Sequence, residues 1–433
     1  MKKMLTTVLL LTLLVSLTAL AQSSAWEFVK AFPDTGFKEG SGIHGLAVDP
    51  DGKIWVLFYA ATEKMFNGTD SVACRALYVF NPDGTPAAIN GIKVFTLGGQ
   101  PFDTLWYSGR GMRKAHDGNI LVCLFDEMYK FDYKTGEGLA YVKPITDASL
   151  GAPGVATTGA DAGAVFVGFV LPGQPVHIYD ASFNYLGNAI DASLGYIRSM
   201  DVSPDGADIY WTAFTLGKLL IYHSDGGTFG PYNLVDSVEG INPQSSCWNP
   251  KDGLLYLGTG GGDGPNPSTQ YTQRTWYGFD PATKTLTNPL VWDSVASPGD
   301  CRPRAIAFSP GGDTAYVGAF NSGTAPSLQM FKRVPTSVRP DPEAVPTGYR
   351  LDQNFPNPFN PKTEIKFSIE QSGLTTLVVY DLLGQEIQTL VNENLSRGAY
   401  TTSFNASKLS SGTYLYRLTS GGVSITKKMV VLK

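Results

Sequence analysis

Short apolar runs separated by turn signals fill the chain between residues 25 and 335. Asp-Gly and Gly-Gly pairs recur between these runs, and they favour hairpin turns because positive φ angles cost little there. The turns are marked by Asp51, Asp117, Asp161, Asp205, Asp252 and Gly311. The runs after them, such as KIWVLFYA and NILVCLF, have the composition of buried strands. The pattern predicts β-structure with a repeated unit.

The repeat is visible in two segments that begin identically. DASLGAPGVATTGADAG from Asp147 and DASLGYIRSMDVSPDG from Asp191 keep register as far as Asp161 and Asp205. Each unit adds a third strand, such as ALYVFNPDG, and five units add a fourth, such as IKVFTL and LAYVKPI. Four strands at a spacing of 44 residues or more are typical of a propeller blade.

The sixth unit has only three strands, whereas AWEFVKAF at residues 25–32 has no unit of its own. We expect this N-terminal strand to complete the last blade, because that leaves no sheet edge open. The sequence therefore predicts a six-bladed β-propeller over residues 25–335. A pair of antiparallel sandwiches is the alternative.

Residues 336–349 are rich in proline and polar residues and have no periodicity, so they are a predicted linker. Beyond them, TEIKFSI, TTLVVYDL, YTTSFNA, GTYLYRLTS and ITKKMVVLK alternate apolar and polar residues, which predicts a small β-sandwich over residues 350–433. The segment NFPNPFNP opens it, and its prolines exclude a helix or a central strand. We expect a stiff extended segment whose aromatics, Phe355 and Phe359, dock onto the strands that follow.

Four motifs in the tail occur in a fixed order: LDQNFPNPFNPKTEIKFSI, VVYDLLGQEIQTLV, SSGTYLYRLTSGG and TKKMVVLK. Residues 350–433 thereby closely resemble the type IX secretion C-terminal sorting domain. The resemblance implies an Ig-like sandwich that the outer-membrane translocon and sorting machinery of Bacteroidota-type bacteria recognise and often remove. Whether it is removed here stays open, and an ordinary accessory Ig-like module is the alternative. The sorting motif comprises Asn354, Phe355, Pro356, Asn357, Pro358, Phe359, Asn360 and Pro361.

The first 21 residues have the pattern of a secretory signal peptide. A dibasic start precedes an apolar run from Met4 to Leu20, and a small-x-small site predicts cleavage between Ala21 and Gln22. A membrane anchor is the alternative, but the run is short and contains Thr and Ser. No later stretch is apolar for long enough to span a bilayer, so we expect a protein that is secreted or on the cell surface after passage through the periplasm.

Composition agrees with an all-β extracellular protein, since there are 48 Gly and 28 Pro and only 16% charged residues. The net charge of -5 gives no indication of a nucleic-acid partner. Four cysteines (Cys74, Cys123, Cys247 and Cys301) lie far apart and form no CxxC motif. A disulfide is chemically allowed in an oxidising compartment, but we expect free thiols, with Cys123 in a buried strand.

The propeller segments GIHGLAVDPDGKIWV and IRSMDVSPDGADIYW loosely resemble NHL-repeat, gluconolactonase-like and streptogramin-lyase-like proteins. In gluconolactonase-like enzymes a metal-binding Asp tends to follow the strand after SPDG. This chain has Ala213 and Phe214 in the corresponding stretch. The departure weakens the lactonase interpretation.

Catalytic signatures such as HExxH, GxSxG and the P-loop are missing from the sequence, and no metal site or cofactor is evident. One arrangement of polar residues stands out instead. Counting seven residues back from each turn gives His44, Arg110, Gly154, Arg198, Ser245 and Arg304. Equal offsets predict one level on the innermost strands, near the mouth of the central tunnel.

Clustered arginines suit carboxylates, because a guanidinium donates in a bidentate fork. The alternative is that these arginines hold neighbouring loops by pairing with Asp103, Asp201 or Asp300. Gly154 is expected to leave room for a ligand on the side of blade 3.

Two longer loops, ATEKMFNGTDSVACR and GGGDGPNPSTQYTQRT, are predicted between the second and third strands of blades 1 and 5. They would wall one side of the mouth, where binding residues tend to lie on loops. Four aromatics are candidates for stacking on a ligand or for packing within the loops: Trp106, Tyr107, Tyr196 and Tyr271.

These observations favour a binding or interaction propeller over an enzyme. The predicted ligand is an extracellular anionic small molecule, glycan or peptide held at the tunnel mouth. Two alternatives remain open: a lactonase-like hydrolase or lyase, and a structural subunit of a surface layer or filament.

Overall fold

The computed structural model describes residues 26–33, 42–66, 69–260, 271–292, 302–320, 326–333, 339–341, 348–371, 373–395, 397–407 and 409–432. Their regular structure consists of β-strands and two short 3-10 helices, Phe214–Leu216 and Gly227–Phe229. The chain forms two compact units, one spanning Ser24–Thr336 and the other containing Ser337–Lys433. The predicted cleavage site at Ala21 and Gln22 lies outside the described residues.

The first unit is a six-bladed β-propeller. Its sheets follow one another along the chain, and the first strands of neighbouring blades contact each other in a closed circle. Each of the six interfaces between adjacent blades has its own cluster of buried apolar side chains. Burial between blades therefore provides the hydrophobic stabilisation all around the circle.

Each blade is described from its innermost strand outward. Blade 1 contains Ile43–Val48, Ile54–Phe58 and Tyr78–Phe80. Blade 2 contains Gly109–Lys114, Ile120–Leu124, Glu127–Phe131 and Gly138–Val142. Blade 3 contains Gly154–Val155, Val165–Val167, Val176–Tyr179 and Tyr185–Ile190. Blade 4 contains Met200–Val202, Asp208–Ala213, Lys218–His223 and Asn233–Glu239. Blade 5 contains Pro243–Trp248, Leu255–Thr259, Thr275–Asp280 and Thr285–Val291. Blade 6 contains Arg302–Phe308, Thr314–Phe320, Leu328–Arg333 and Trp26–Ala31.

The last blade is closed by the N-terminal strand, as predicted. Trp26–Ala31 pairs antiparallel with Leu328–Arg333, so that the outer edge of blade 6 is covered. The indole of Trp26 reaches blade 5, where its Nε1 donates a hydrogen bond of 3.1 Å to the Tyr256 hydroxyl. The closing strand thus contributes to the interface between two blades.

The predicted fourth strand of blade 1 is wrong over most of its length. Only Ile92 bridges back to Leu77 of blade 1. Val94–Leu97 instead forms a hairpin with Gln100–Thr104 and meets the outer strand of blade 2. Gly98 and Gly99, at φ angles of 60° and 74°, turn the chain back on itself.

The turn glycines behave as the pattern predicts. Gly52, Gly118 and Gly206 have φ angles of 83°, 86° and 77°, which residues with a Cβ atom rarely adopt. Cys74 and Cys123 are buried, and with Cys247 they are free thiols. Cys301 lies outside the described residues.

The second unit is a β-sandwich of two four-stranded sheets. One sheet has the order Arg339–Asp341, Gly398–Asn405, Lys362–Ile369 and Arg350–Leu351. The other has the order Glu386–Leu395, Gly373–Tyr380, Gly412–Ser420 and Val423–Val431. Buried side chains from both sheets form one core, which includes Ile365, Leu377 and Tyr416.

The NFPNPFNP segment lies along the last strand of the sandwich. Phe359 is only 3% exposed and exchanges backbone hydrogen bonds with Val430 and Leu432. The buried Asn354 donates to Pro356 and Thr363, and these bonds fix the backbone between them. Phe355 is 81% exposed, so the expectation that both aromatics dock is wrong for this one.

No helix in the part of the chain that the structure describes is long and apolar enough to cross a membrane.

Candidate functional site

Four of the six innermost strands carry a β-bulge near the tunnel mouth. His44, Arg110, Gln244 and Arg304 are each skipped in the pairing with the second strand of their blade. A bulge re-aims the side chain that it carries, and bulges are frequent next to functional sites. Arg198 precedes the last paired residue of its strand, Val202, by the same four residues that separate His44 from Val48 and Arg304 from Phe308.

His44, Arg110, Arg198 and Arg304, here called the basic ring, come together in the structure. Burial holds the pKa of His44 well below its ordinary value, and the charges of Arg304, Arg198 and Arg110 lower it further. A hydrogen bond with the backbone of Gly109 opposes this shift. At neutral pH His44 is therefore uncharged, and the positive charge of the mouth belongs to the three arginines.

Each member of the basic ring lies against an aromatic side chain from the end of a second strand. His44 is 4.8 Å from Tyr59 between ring centroids. The guanidinium carbons of Arg110, Arg198 and Arg304 lie 5.8, 5.3 and 5.8 Å from the ring centroids of Phe125, Phe214 and Phe320, respectively. A cation over an aromatic face gains about 0.5–2 kcal/mol, so these rings help to hold the arginines in place.

These aromatics could have been found in the sequence from their spacing to the basic residues, which counting back from the turns did not use. Tyr59, Phe125, Phe214 and Phe320 follow their basic partners by 15 or 16 residues. The constant offset exists because each pair spans one hairpin, from the start of the first strand to the end of the second. Phe214 belongs to this set.

Burial lowers the pKa of Arg110, and Arg198 lowers it again, whereas Tyr59 raises it. The Nε atom of Arg110 is buried and has no hydrogen-bond partner in the part of the chain that the structure describes. A buried donor without a partner is unfavourable, so an acceptor arriving at the mouth would be stabilised there.

Arg113 closes the tunnel axis. It was not among the residues found by counting seven positions back from each turn. Its guanidinium donates to the carbonyl oxygens of Pro153, Ser246 and Met200 over 3.0, 2.9 and 3.2 Å. Its Nη2 also forms an ion pair of 2.9 Å with Oδ2 of Asp201. One side chain of blade 2 thereby links blades 3, 4 and 5.

A cavity of about 10 Å³, room for about one water molecule, remains beside Arg113 on the axis. His44, Ser199, Ser246 and Arg304 are among the residues that line it. A ligand larger than water is therefore restricted to the outer side of this cavity, at the mouth.

Two of the three carboxylates considered as partners for the basic ring have other partners. Asp201 pairs with Arg113. Asp103 accepts a hydrogen bond of 2.6 Å from the Tyr129 hydroxyl. Asp300 lies outside the described residues. Among the described residues, no group of three or more His, Cys, Asp or Glu side chains is placed to hold a metal ion.

Counting seven residues back from the turn does not reach the equivalent position in blades 3 and 5. A Cβ atom on Gly154 would lie 3.1 Å from Cγ1 of Val202, so this glycine permits close packing of blade 4 and does not leave room for a ligand. In blade 5 Gln244, not Ser245, occupies the bulge. Ser245 lines the axial cavity, and its hydroxyl accepts a hydrogen bond of 3.0 Å from the Trp276 indole.

The four candidate aromatics have different surroundings. Tyr107 packs 5.9 Å from Phe125 and thus adjoins the basic ring. Trp106 donates to Asp103, and Tyr271 packs against Tyr277 of the third strand of blade 5, so each is held by a residue close to it in the chain. Tyr196 is exposed on the connection between blades 3 and 4.

Two long loops, from blades 1 and 5, were predicted to wall the tunnel mouth, and the structure describes most of the blade 1 loop but little of the blade 5 loop. The blade 1 insertion forms a hairpin of Glu63–Phe66 and Ser71–Cys74. Most of the blade 5 loop, residues 261–270, lies outside the described residues.

Comparison with known proteins identifies the C-terminal unit. Residues 353–432 match the family described as the secretion system C-terminal sorting domain. The type IX sorting domain marks the protein for export to the cell surface or secretion, and implies an interaction with the type IX secretion machinery.

The chain is also similar to solved structures. It resembles the periplasmic gluconolactonase of Pseudomonas aeruginosa at 14% identity and a TM-score of 0.41, over 83% of this chain and 88% of that chain. It resembles a Bacteroides thetaiotaomicron protein of unknown function at 10% identity and a TM-score of 0.45, over 71% of this chain and 74% of that chain. A search of curated protein sequences gave no match.

Proposed function

We propose that the protein is a binding module of the cell surface or secreted fraction, and that its propeller recognises a carboxylate at the tunnel mouth. The observation that carries the proposal is the convergence of Arg110, Arg198 and Arg304 on the neutral His44. Like charges brought together in a partly buried site repel, and an anion relieves that repulsion.

The geometry of the ring supports a carboxylate as the anion. A guanidinium donates two parallel hydrogen bonds to a carboxylate, and each guanidinium here lies within contact distance of an aromatic ring that restricts its position. The closed axis favours a ligand that rests on the mouth with its charged end inward. Sugar acids, small organic acids and peptide termini all carry such an end.

A double replacement tests the proposal. Arg198→Ala with Arg304→Ala removes two charges from the ring, and Lys251→Ala with Lys284→Ala removes two exposed charges from turns elsewhere on the propeller. Thermal unfolding is measured with acetate, succinate, citrate and galacturonate at constant ionic strength. We expect at least one carboxylate to stabilise the parent and the lysine variant but not the arginine variant.

Two results would contradict the proposal. One is the absence of stabilisation of the parent by all four carboxylates, together with a large loss of stability in the arginine variant, which makes the arginines structural pins. The other is a stoichiometric divalent ion in the purified protein with turnover of a lactone, which favours the hydrolase.

A further inference from the structure

Three loops on the mouth face expose apolar side chains over blades 3 and 4. Leu171 lies between the second and third strands of blade 3, Leu194 and Tyr196 lie on the connection to blade 4, and Leu216 lies in the turn after Ala213. These four residues, here called the apolar rim, are 47%, 47%, 41% and 43% exposed, respectively. Exposed apolar residues scattered singly need no explanation, whereas a contiguous group of them is a candidate contact surface.

Hydrogen bonds join the three loops into one surface. The Gly173 and Ser193 amides donate across to Ser193 and Gln174 over 2.8 and 2.9 Å. The Tyr196 amide donates 2.9 Å to the Thr215 hydroxyl, which belongs to the next loop. A Cβ atom on Gly195 would be 2.9 Å from Cγ of Leu216, so these two loops also touch.

The apolar rim borders the basic ring. Arg198 follows Tyr196 by two residues, and its guanidinium lies over Phe214, which belongs to the same turn as Leu216. An anion held by Arg198 therefore has apolar side chains on the side of blades 3 and 4. A ligand that fits both surfaces has a charged end and an apolar body.

The backbone of the rim favours an alkyl body over a peptide. The amides of Gly173, Ser193, Tyr196 and Ile197 are already used in bonds between or within the loops. A peptide lying there would find none of these amides free to pair with its backbone, whereas an alkyl chain needs no such partner. Resting on the carboxylate site proposed above, we propose that the ligand is an alkyl carboxylic acid whose chain lies across the apolar rim.

A chain-length series tests this proposal. Butanoate, hexanoate, octanoate and decanoate are titrated below their micelle concentrations into the full-length mature protein, with affinity measured by calorimetry. Full burial of a methylene gives about fourfold in affinity, and a surface that covers one side gives about twofold. We expect decanoate to bind roughly 60-fold more tightly than butanoate, because it is longer by six such steps.

Two matched double variants separate the contribution of the alkyl chain to the affinity from that of the carboxylate. Leu194→Ser with Leu216→Ser should keep the affinity for butanoate and lose the gain with chain length. Leu139→Ser with Leu186→Ser replaces two leucines of similar exposure (both 46%) on outer strands, and should keep the full gain. Both pairs are exposed, so neither replacement threatens the core.

Equal affinities for butanoate and decanoate in the parent, both lost in Arg198→Ala with Arg304→Ala, would overturn the alkyl ligand while the carboxylate site stands. Failure of the parent to bind any of the four alkyl acids would overturn the alkyl ligand, and the carboxylate site would fall with it only if acetate, succinate, citrate and galacturonate also fail to stabilise the parent. An acetylated Leu-Leu dipeptide that binds more tightly than decanoate would replace the alkyl acid with a peptide C-terminus.

Discussion

His44 is the one member of the basic ring whose charge depends on pH near neutrality. Its pKa in the folded protein is lowered by burial and by three arginines, whereas in the unfolded chain it is about 6.5. Below that value the unfolded chain takes up a proton that the folded protein does not bind. The stability that comes from a neutral His44 is therefore present above the unfolded pKa and lost as pH falls below it.

We expect His44→Gln to flatten the pH dependence of unfolding. The parent should lose up to about 1.4 kcal/mol per pH unit more than the variant between pH 6.5 and 5, because one proton is linked to unfolding. Urea unfolding followed by tryptophan fluorescence measures this, since all seven tryptophans lie between residues 26 and 292. His223, whose pKa is raised by its hydrogen bond to Asp208, is the control of opposite sign. Equal slopes in the parent and His44→Gln would contradict the expectation.

The two phenylalanines of the sorting motif offer a second comparison. Phe359 is buried in the sandwich core, so Phe359→Ala should cost about 3–5 kcal/mol. Phe355→Ala removes an exposed ring and should change stability by less than about 0.5 kcal/mol. Hydrogen exchange in peptides from residues 350–432 reports on the sandwich alone. Equal protection in the two variants would show that the burial of Phe359 does not stabilise the unit.

The sequence predicted the basic ring where the turns are equivalent. In blades 1, 2, 4 and 6 the turn residue follows the last paired residue of the first strand by three positions, so counting back finds equivalent side chains. In blade 5 the turn residue Asp252 follows Trp248 by four positions, and the count gives Ser245 instead of Gln244. Bulges and turn lengths are set by pairing between strands, which one local pattern does not contain.

At the scale of elements, the strand Trp26–Ala31 shows how one segment fastens two blades. Trp26 packs between Tyr256 and Phe308, at 5.9 and 5.7 Å between ring centroids, while Phe28 on the same strand is exposed. The strand is thus held by its first residue and by its backbone ladder.

We expect Trp26→Ala to destabilise the propeller by about 3–5 kcal/mol, because it leaves a cavity between blades 5 and 6. Phe28→Ala, on the same strand, should cost less than about 1 kcal/mol. The urea midpoint by fluorescence distinguishes them. Similar midpoints for both variants would mean that the ladder alone closes the circle.

The closing strand was predictable because both an incomplete unit and an orphan strand are visible in the sequence. The hairpin of Val94–Leu97 and Gln100–Thr104 was not predictable in the same way. Its apolar residues fit an outer strand of blade 1 equally well, and its choice of blade 2 depends on a contact with Gly138, about 40 residues away.

At the scale of the whole molecule, the C-terminal unit determines where the propeller is delivered. Residues 353–432 match a sorting domain, and the buried tryptophans and the basic ring all belong to the other unit. The sorting signal and the proposed recognition site are therefore carried by different parts of the chain.

Deletion of residues 350–433 should leave a folded propeller in the periplasm. The reason is that the signal for the outer-membrane translocon is lost, while the six interfaces between blades remain. Fractionation with an antibody against the propeller, together with tryptophan fluorescence of the recovered protein, measures both effects. Normal amounts of the truncated protein at the cell surface would contradict the role of the tail.

Arg113 gives the propeller the shape of a blind well, because it crosses the axis and bonds to three other blades. Among the described residues the cavity beside it has room for about one water molecule, so a ligand that entered at the mouth would leave by the same opening. Two ligands with the same charged end would compete for the one proposed site, even if the rest of each molecule differed. Because the proposed site would hold only the charged end, a molecule that is still anchored elsewhere would be bound by its free end.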